Sequence, residues 1–237
     1  MGRDDSGGAT SDAPDLELLA TAHSGGGSLT EWATHELPTR HGPARVTSFH
    51  QSHPHGHVVL LHGAGTGTDA PALVGIGKAM LERGWDVALI EQPYRVEGRR
   101  APAPAVQLDE VVRTVVTTMF AGRRDPLVFV GRSSGARVGC RLATELGASL
   151  VVALGFPLEP PSGRASRQPE LDAAGVPVFI VQGTKDTFGM PRRDARKGRE
   201  VYRVEGADHA LERSRTAEDP LEAIVLAVAE RLDELAR

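Results

Sequence analysis

The chain has little of several features that would define other classes of protein. Its 237 residues include one cysteine, Cys140, so no disulfide can form within the chain. No stretch reaches the roughly 18 apolar residues that a membrane-spanning helix needs. Aromatic residues make up only 4%, so Val, Leu, Ala and Ile must supply most of a core. The formal net charge of −4 gives no basis for nucleic acid or an anionic membrane as the main partner.

The first 28 residues are rich in Gly, Ser, Ala and Asp, and they would bury too little apolar surface to offset the entropy of ordering. We therefore predict a mobile tail over residues 1–28 and a single domain over residues 29–237. The tail lacks the basic start and apolar stretch of a secretion signal. It matches the myristoylation pattern through Gly2 and Ser6, but no second membrane signal accompanies the match. We expect a cytoplasmic protein without a membrane partner, and the oligomeric state stays open.

Apolar strands and amphipathic helices alternate along most of the chain. Buried strands are predicted at HVVLLHG, DVALIEQP, PLVFVG, SLVVALGFP, VPVFIVQG and REVYRVEG, with two edge strands upstream at EWATHEL and ARVTSFH. Helices are predicted over residues 71–83, 106–121, 134–147 and 168–174, and a last one is capped by Asp219. This alternation predicts an α/β fold, with a mostly parallel central sheet covered by helices on both faces. Only about 20 residues separate SLVVALGFP from VPVFIVQG, so no large cap domain fits between them.

Ligands of such sheets bind at the carboxyl ends of the strands. The loops after residues 62, 93, 132, 157, 184 and 207 are therefore expected to form one rim. On it, GRSSG at residues 131–135 fits the pattern G-x-S-x-G between a predicted strand and a predicted helix. Such a turn would expose Ser133 as a nucleophile, and the backbone N–H of Ser134 could donate to an oxyanion. The alternative is a tight structural turn, since glycine and serine are common residues.

A serine nucleophile needs a base, and the base needs an orienting carboxylate. His209, in GADHAL, is the only histidine that follows Ser133, and it lies directly after the last predicted strand. Of the acidic residues between these two, Asp186 follows a buried strand by a few residues and lies on the rim. Asp194 is the alternative carboxylate. These positions predict a triad of Ser133, His209 and Asp186.

The loop LHGAGTG, after the first predicted parallel strand, is expected to supply a second oxyanion donor. A backbone N–H is required, and Ala64 is the first candidate, with Gly65 next. We expect His62 to shape this loop rather than to take part in the chemistry.

Four segments, LLHGAG, VGRSSG, VQGTKDTFG and GADHAL, together resemble the α/β-hydrolase superfamily in order and spacing, over about residues 45–237. The segments GRSSGAR and GFPLEPP resemble the sequences of a small branch, the testis-expressed hydrolase-like proteins, which are related to dienelactone hydrolases. The resemblance implies the α/β-hydrolase fold, a Ser-His-Asp triad and no cofactor. It also implies hydrolysis of an ester, thioester or amide of a small-molecule acyl substrate through an acyl-enzyme. The substrate stays open, and so does a catalytically silent binding or scaffold protein.

The predicted rim is more basic than the chain as a whole. Arginines and lysines follow two of the strands and one lies in the GRSSG turn: Arg95, Arg99, Arg100, Arg132, Lys185, Arg192, Arg193, Arg196 and Lys197. They indicate either an anionic substrate, with Arg132 and Arg95 as candidate binding residues, or a solvated charged surface.

The segment HQSHPHGH contains four histidines, His50, His53, His55 and His57. They could bind a metal ion adventitiously, but no carboxylate or cysteine completes a site in the sequence nearby. We therefore interpret the segment as a solvated turn before a strand and predict no metal site.

Overall fold

In the computed structural model, residues 29–161, 163–214 and 218–236 are described. The tail predicted for residues 1–28 lies outside the described residues. Eight strands form one sheet: β1 (Leu29–Thr39), β2 (Gly42–Gln51), β3 (His57–Leu61), β4 (Asp86–Glu91), β5 (Leu127–Arg132), β6 (Leu150–Leu154), β7 (Val178–Gly183) and β8 (Arg199–Val204). Their order across the sheet is β1-β2-β4-β3-β5-β6-β7-β8. Strand β2 pairs antiparallel with β1 and β4, and all other pairs are parallel. The predicted α/β class and the mostly parallel sheet are confirmed.

The helices of the described residues are α1 (Pro71–Glu82), α2 (Pro93–Val96), α3 (Ala105–Met119), α4 (Ser134–Leu142), α5 (Gln168–Asp172) and α6 (Leu221–Asp233), with a 3₁₀ turn at Ala195–Lys197. Five of the six were predicted from the sequence, and α2 was not. Helix α4 is shorter than the prediction of 134–147. Beyond its end the chain tightens into turns, in which the N–H of Gly147 bonds the carbonyl of Thr144.

Strand β2 was predicted at the edge of the sheet, and this prediction was wrong. It lies between β1 and β4, so the edges are β1 and β8. The physical reason is visible in Val46 and Phe49, which are both fully buried but belong to the cores on opposite faces of the sheet. A strand with apolar residues on both faces is stabilised by having neighbours on both sides.

Successive strand residues serve two separate hydrophobic cores. On β5, Leu127 and Phe129 pack with α3 and α4, while Val128 and Val130 face the core that contains α1 and α6. Because each strand side chain alternates in direction, an uninterrupted apolar run fills both faces. All these side chains are fully buried, which makes the sheet a rigid platform for the loops at its ends.

The order of the strands reverses near the middle of the sheet. Strand β3 lies between β4 and β5, so the chain leaves β3 toward one side and returns to its other side. The loops after β3 and β5 therefore diverge at a topological switch point, where ligands of open α/β sheets bind. Between β6 and β7, the described residues hold only α5 and loops, and the prediction of no large cap domain is confirmed. Within the described ranges, no helix is long and apolar enough to cross a lipid bilayer.

Candidate active site

The turn between β5 and α4 holds Ser133 in an unusual backbone conformation, with φ 50° and ψ −107°. A positive φ costs a non-glycine residue of order 1–3 kcal/mol, and such strain is typical of functional sites. The two flanking glycines leave no room for a side chain. A Cβ on Gly131 would overlap the backbone of Ala136, and a Cβ on Gly135 would overlap the carbonyl of Leu61. The turn therefore requires small residues at both ends, and Ser133 projects from it.

Ser133, His209 and Asp186, called the triad from here on, form a continuous chain of hydrogen bonds. The Oγ of Ser133 lies 2.9 Å from Nε2 of His209, and Nδ1 of His209 lies 2.8 Å from Oδ2 of Asp186. One tautomer satisfies both contacts: Nδ1–H donates to the carboxylate and Nε2 accepts from the hydroxyl. Asp194, the alternative carboxylate, instead accepts the backbone N–H of Arg196 in the turn before β8. The structure thus brings together the three residues nominated from the sequence.

The carboxylate of Asp186 is held by donors other than the histidine. Its Oδ1 accepts the backbone N–H of Phe188 at 2.8 Å, and its Oδ2 accepts Nε2 of Gln182 at 2.7 Å. Gln182 is fully buried on β7, and its amide also bonds the N–H and carbonyl of Phe156 and the carbonyl of Gly189. The amide thereby joins the loops after β6 and β7 beneath the carboxylate. Gln182 was not predicted from the sequence, where its one signal is a polar residue inside the apolar run VFIVQG.

The segment that carries His209 is fitted closely against the ends of β6 and β7. A Cβ on Gly183 would overlap the carbonyl of Ala207, and one on Gly155 would lie 2.9 Å from the carbonyl of His209. Gly155 also has a φ of 60°, which glycine adopts at little cost. The ring of Phe188 lies against the imidazole, with centroids 4.4 Å apart. The backbone and one aromatic ring therefore fix where the imidazole lies.

The loop after β3 is shaped by His62, as the sequence suggested. Its Nε2 accepts the N–H of Gln92 at 3.1 Å, so the ring proton is on Nδ1, which donates to the carbonyl of Gly63 at 2.8 Å. Burial lowers the pKa of His62, which favours this neutral form. The hydroxyl of Tyr94 donates to the carbonyl of Ala64 at 3.3 Å. These contacts orient the peptide groups of the loop.

The predicted oxyanion donors lie on two neighbouring segments. Ser134 is the first residue of α4 and follows the candidate nucleophile directly. Ala64 and Gly65 lie in the loop after β3, Ala64 half-buried and Gly65 exposed. The close approach of Gly135 to Leu61 brings this loop and the start of α4 together. The amides of Ala64 and Ser134 are thus on the two segments that flank the triad serine.

Arg132 precedes the triad serine and extends beneath the loop after β3. Its Nη1 donates to Oγ1 of Thr66 at 3.2 Å, and it comes close enough to Gly63 that a Cβ there would lie 3.0 Å from it. Burial lowers the pKa of Arg132, and the charges of Glu212 and Asp208 offset part of that shift. The side chain nevertheless stays protonated in water near neutral pH.

Three other basic residues named from the sequence lie at opposite ends of the parallel strands. Arg95, on α2, lies on the rim, and its Nη2 would be 3.6 Å from a Cβ on Gly67. Arg196 and Lys197 do not lie there, and that part of the prediction was wrong. They form the turn that leads into β8, so they lie at the amino ends of the parallel strands, where Lys197 pairs with Asp172 at 3.0 Å.

Both ends of the histidine-rich segment belong to a hydrogen-bonded cluster at the amino ends of the parallel strands. The Nδ1 atoms of His50 and His57 lie 3.3 Å and 3.1 Å from Oδ2 of Asp86, and the N–H of Gln51 donates to its Oδ1. Burial of the Asp86 carboxyl would raise its pKa, but these hydrogen bonds outweigh burial and lower it to about 2. The turn itself, residues 52–55, is largely exposed and precedes β3, as predicted, and His53 and His55 are both exposed. Only the histidines at its two ends depart from that interpretation, because the carboxylate of Asp86 on β4 reaches His50 and His57. Over the described ranges, no group of three or more acidic, His or Cys side chains is arranged to hold a metal ion.

Cys140 offers no alternative nucleophile. It is fully buried on α4, and burial raises the pKa of its thiol to about 12. A thiol with that pKa stays protonated near neutral pH, so its role is packing.

Comparison with known proteins agrees with this architecture. No significant match was found among curated proteins. Among solved structures, the chain is similar to XC6422 from Xanthomonas campestris, described as a serine hydrolase without lid, at 18% identity and a TM-score of 0.63, covering 86% of this chain and 93% of that one. It is also similar to Est1E from Butyrivibrio proteoclasticus, at 14% identity and a TM-score of 0.66, covering 85% and 98% of the two chains. A third is a dienelactone hydrolase from Anabaena variabilis, at 14% identity and a TM-score of 0.65, covering 87% and 99%. The family described as alpha/beta hydrolase domain matches residues 54–236, and this chain belongs to that family.

Proposed function

We propose that the protein is a serine hydrolase that cleaves a carboxylic ester or thioester of a small molecule through an acyl-enzyme. The observation that supports this most is the hydrogen-bonded chain from Ser133 through His209 to Asp186, at a strained turn on the rim of the sheet. The similar structures include proteins named as an esterase domain and a dienelactone hydrolase, which agrees with acyl chemistry.

The first half of the reaction forms the acyl-enzyme. The Oγ of Ser133 attacks the carbonyl carbon while Nε2 of His209 takes the hydroxyl proton. The carbonyl oxygen becomes an oxyanion, which accepts hydrogen bonds from the backbone N–H groups of Ala64 and Ser134. The bond to the leaving oxygen or sulfur then breaks, and the imidazolium returns its proton to that atom. An alcohol or thiol leaves, and the acyl group stays on the serine.

The second half restores the enzyme with water. Nε2 of His209 takes a proton from a water molecule as its oxygen attacks the acyl carbon. The new oxyanion collapses, the bond to Oγ of Ser133 breaks, and the imidazolium gives the proton back to that oxygen. The carboxylic acid product leaves. Throughout, Asp186 stays ionised and holds Nδ1–H, so its charge stabilises the imidazolium in both halves.

The experiment that tests the proposal is the hydrolysis of 4-nitrophenyl acetate and of an acetyl thioester by the purified protein and its variants. Replacing Ser133 with Ala, or His209 with Ala, should lower kcat by about 10³-fold or more. Matched controls are Ser149→Ala and His35→Ala, which make the same changes away from the rim and should leave kcat unaffected. A correctly folded wild-type protein that cleaves neither substrate class would instead favour the binding or scaffold alternative.

A further inference from the structure

A cavity of about 410 Å³ opens at the carboxyl ends of the strands, on the side of α1 and α6. Its lining includes Arg132, which adjoins the nucleophile, Ala210, which adjoins His209, and Thr66 of the loop after β3. Apolar side chains, among them Leu211 and Ile224, form other parts of the wall. The cavity therefore borders the segments that carry Ser133 and His209, and part of its wall is apolar.

Arg132 is a half-buried charge of this cavity, and no carboxylate pairs with it directly. In the part of the chain that the structure describes, no carboxylate oxygen lies within 4.0 Å of its guanidinium, and its one hydrogen bond goes to the neutral hydroxyl of Thr66. A guanidinium has five N–H donors, so most of its capacity is free. Partial burial lowers the pKa of Arg132, which means that its charge is less fully solvated than at an open surface. An anion bound here would offset that loss of solvation.

The other charged residues of the lining do not supply this anion. The guanidinium of Arg213 donates to two backbone carbonyls, at 2.9 Å and 3.3 Å. The carboxylate of Asp219 accepts the N–H of Leu221 at the start of α6. Glu212 is exposed, so water solvates its charge. Of the charged side chains that the structure describes in this lining, Arg132 is therefore the half-buried one whose donors are mostly free of protein partners.

We propose that the cavity binds a short acyl chain that ends in a carboxylate, with the carboxylate on Arg132. The preferred substrates are then monoesters or monothioesters of dicarboxylic acids, rather than neutral esters of the same length. This inference rests on the proposed function and names the substrate class for that same site. Arg132 is on this view a specificity-determining residue, since its charge acts on the substrate and not on the reacting proton.

The test compares the mono(4-nitrophenyl) ester of glutaric acid with its neutral methyl ester, and follows release of 4-nitrophenol. The ratio of kcat/KM for the anionic over the neutral ester should exceed one for the wild type. Arg132→Gln should lower this ratio at least about tenfold, the scale of one charge-assisted hydrogen bond. The ratio cancels any effect of the lost contact with Thr66, because a displaced loop slows both esters.

Two further variants and a control sharpen the test. Arg132→Lys keeps the charge without the planar fork and should give an intermediate ratio. Glu212→Gln removes a negative charge from the cavity and should raise the ratio. Arg124→Gln removes an exposed arginine near the amino end of β5, away from the cavity, and its ratio should match that of the wild type. A ratio that is the same in wild type and Arg132→Gln overturns the proposal.

A binding measurement separates this inference from the proposed function. Glutarate should bind to the Ser133→Ala variant in a calorimetric titration, and should lose at least about tenfold in affinity when Arg132→Gln is added. If glutarate binds in this way but no ester is cleaved, the proposed function fails and the anion site stands. If esters are cleaved with no preference for the anionic one, the proposed function stands and this inference fails.

Discussion

His209 is positioned by three separate contacts. Its two nitrogens bond Ser133 and Asp186, and the ring of Phe188 packs against the imidazole. The carboxylate is in turn held by Gln182 and by a backbone N–H. Each group that would move or stabilise a proton is thus fixed by a neighbour that does not react. Such support keeps a site within the narrow range of geometries that chemistry requires.

We predict that the carboxylate function belongs to Asp186 alone. In Asp186→Asn the amide can donate to Nδ1, which favours the wrong tautomer of His209 for accepting the serine proton, so kcat should fall by about 10³–10⁴-fold. Asp194→Asn makes the same change at the carboxylate whose contacts lie in the turn before β8, and it should keep kcat within about threefold. Steady-state rates on one activated ester check both variants. An equal loss in the two would contradict the assignment.

The sequence was sufficient to nominate the triad but not its supports. A serine in a G-x-S-x-G turn, one late histidine and an acid after a buried strand carry signals in residue type and chain order, and the structure brings these three side chains within hydrogen-bond distance. Their catalytic roles stay a prediction. Gln182 shows only as a polar residue in an apolar run and Tyr94 shows no signal of its role, because each acts by joining loops that follow different strands. That proximity is set by the sheet order, which the sequence does not state.

At the scale of elements, helix α4 must dock very closely on the end of β3. Gly135 makes this approach possible, since it lies against the backbone of Leu61 and His62 with no space for a Cβ. The contact is between main chains, so no rotamer change can relieve it. The position of the serine relative to the loop after β3 therefore depends on this one glycine.

We predict that Gly135→Ala displaces α4 from β3 and lowers both stability and activity. The expected loss is about 1–3 kcal/mol in the free energy of unfolding, with kcat reduced at least about tenfold because the serine and the oxyanion donors separate. Gly139→Ala is the matched control on the same helix, where a Cβ would meet the side chain of Phe129 at 3.3 Å, and it should lose far less. Denaturant unfolding and ester hydrolysis measure the two effects. A stable, active Gly135→Ala variant would contradict this account of the turn.

The ion pairs between the helices could not be predicted from the sequence. Arg141 of α4 bonds both Asp109 of α3 and Glu170 of α5, and Arg137 bonds Glu170 as well. Periodicity predicted these helices because it reports which residues face a core. It says nothing about which charged faces meet. Helix α2 was missed for a different reason: Pro93–Val96 is one turn long, too short for a periodic signal.

At the scale of the whole molecule, the carboxyl ends and the amino ends of the strands carry different groups. The carboxyl ends of the strands carry the triad and the cavity, while the amino ends carry the Asp86 cluster. Asp86 begins β4, and its contacts with His50 and His57 tie β4 to β2 and β3. A charge that is better stabilised in the folded chain than in the unfolded one makes stability depend on pH.

We predict that Asp86 contributes to stability above about pH 4 and that this contribution is lost at lower pH. The folded-state pKa is lowered to about 2 from 3.8, so the unfolded chain binds the proton first as pH falls. Between about pH 4 and pH 2 the wild type should lose about 2 kcal/mol of unfolding free energy more than Asp86→Asn does. Glu82→Gln, an exposed acid on α1, should follow the wild type. Urea denaturation across this pH range is the measurement, and parallel curves for wild type and Asp86→Asn would contradict the assignment.

The central claim, that Ser133 is the nucleophile, is tested most directly by covalent labelling of the intact protein. A fluorophosphonate should add one phosphonyl group to the folded wild-type protein, and peptide mass spectrometry should locate it on Ser133. Ser133→Ala should take up none, while Ser134→Ala, which keeps the backbone N–H, should still be labelled. Labelling that survives in Ser133→Ala, or a folded wild-type protein that takes up no label, would contradict the account.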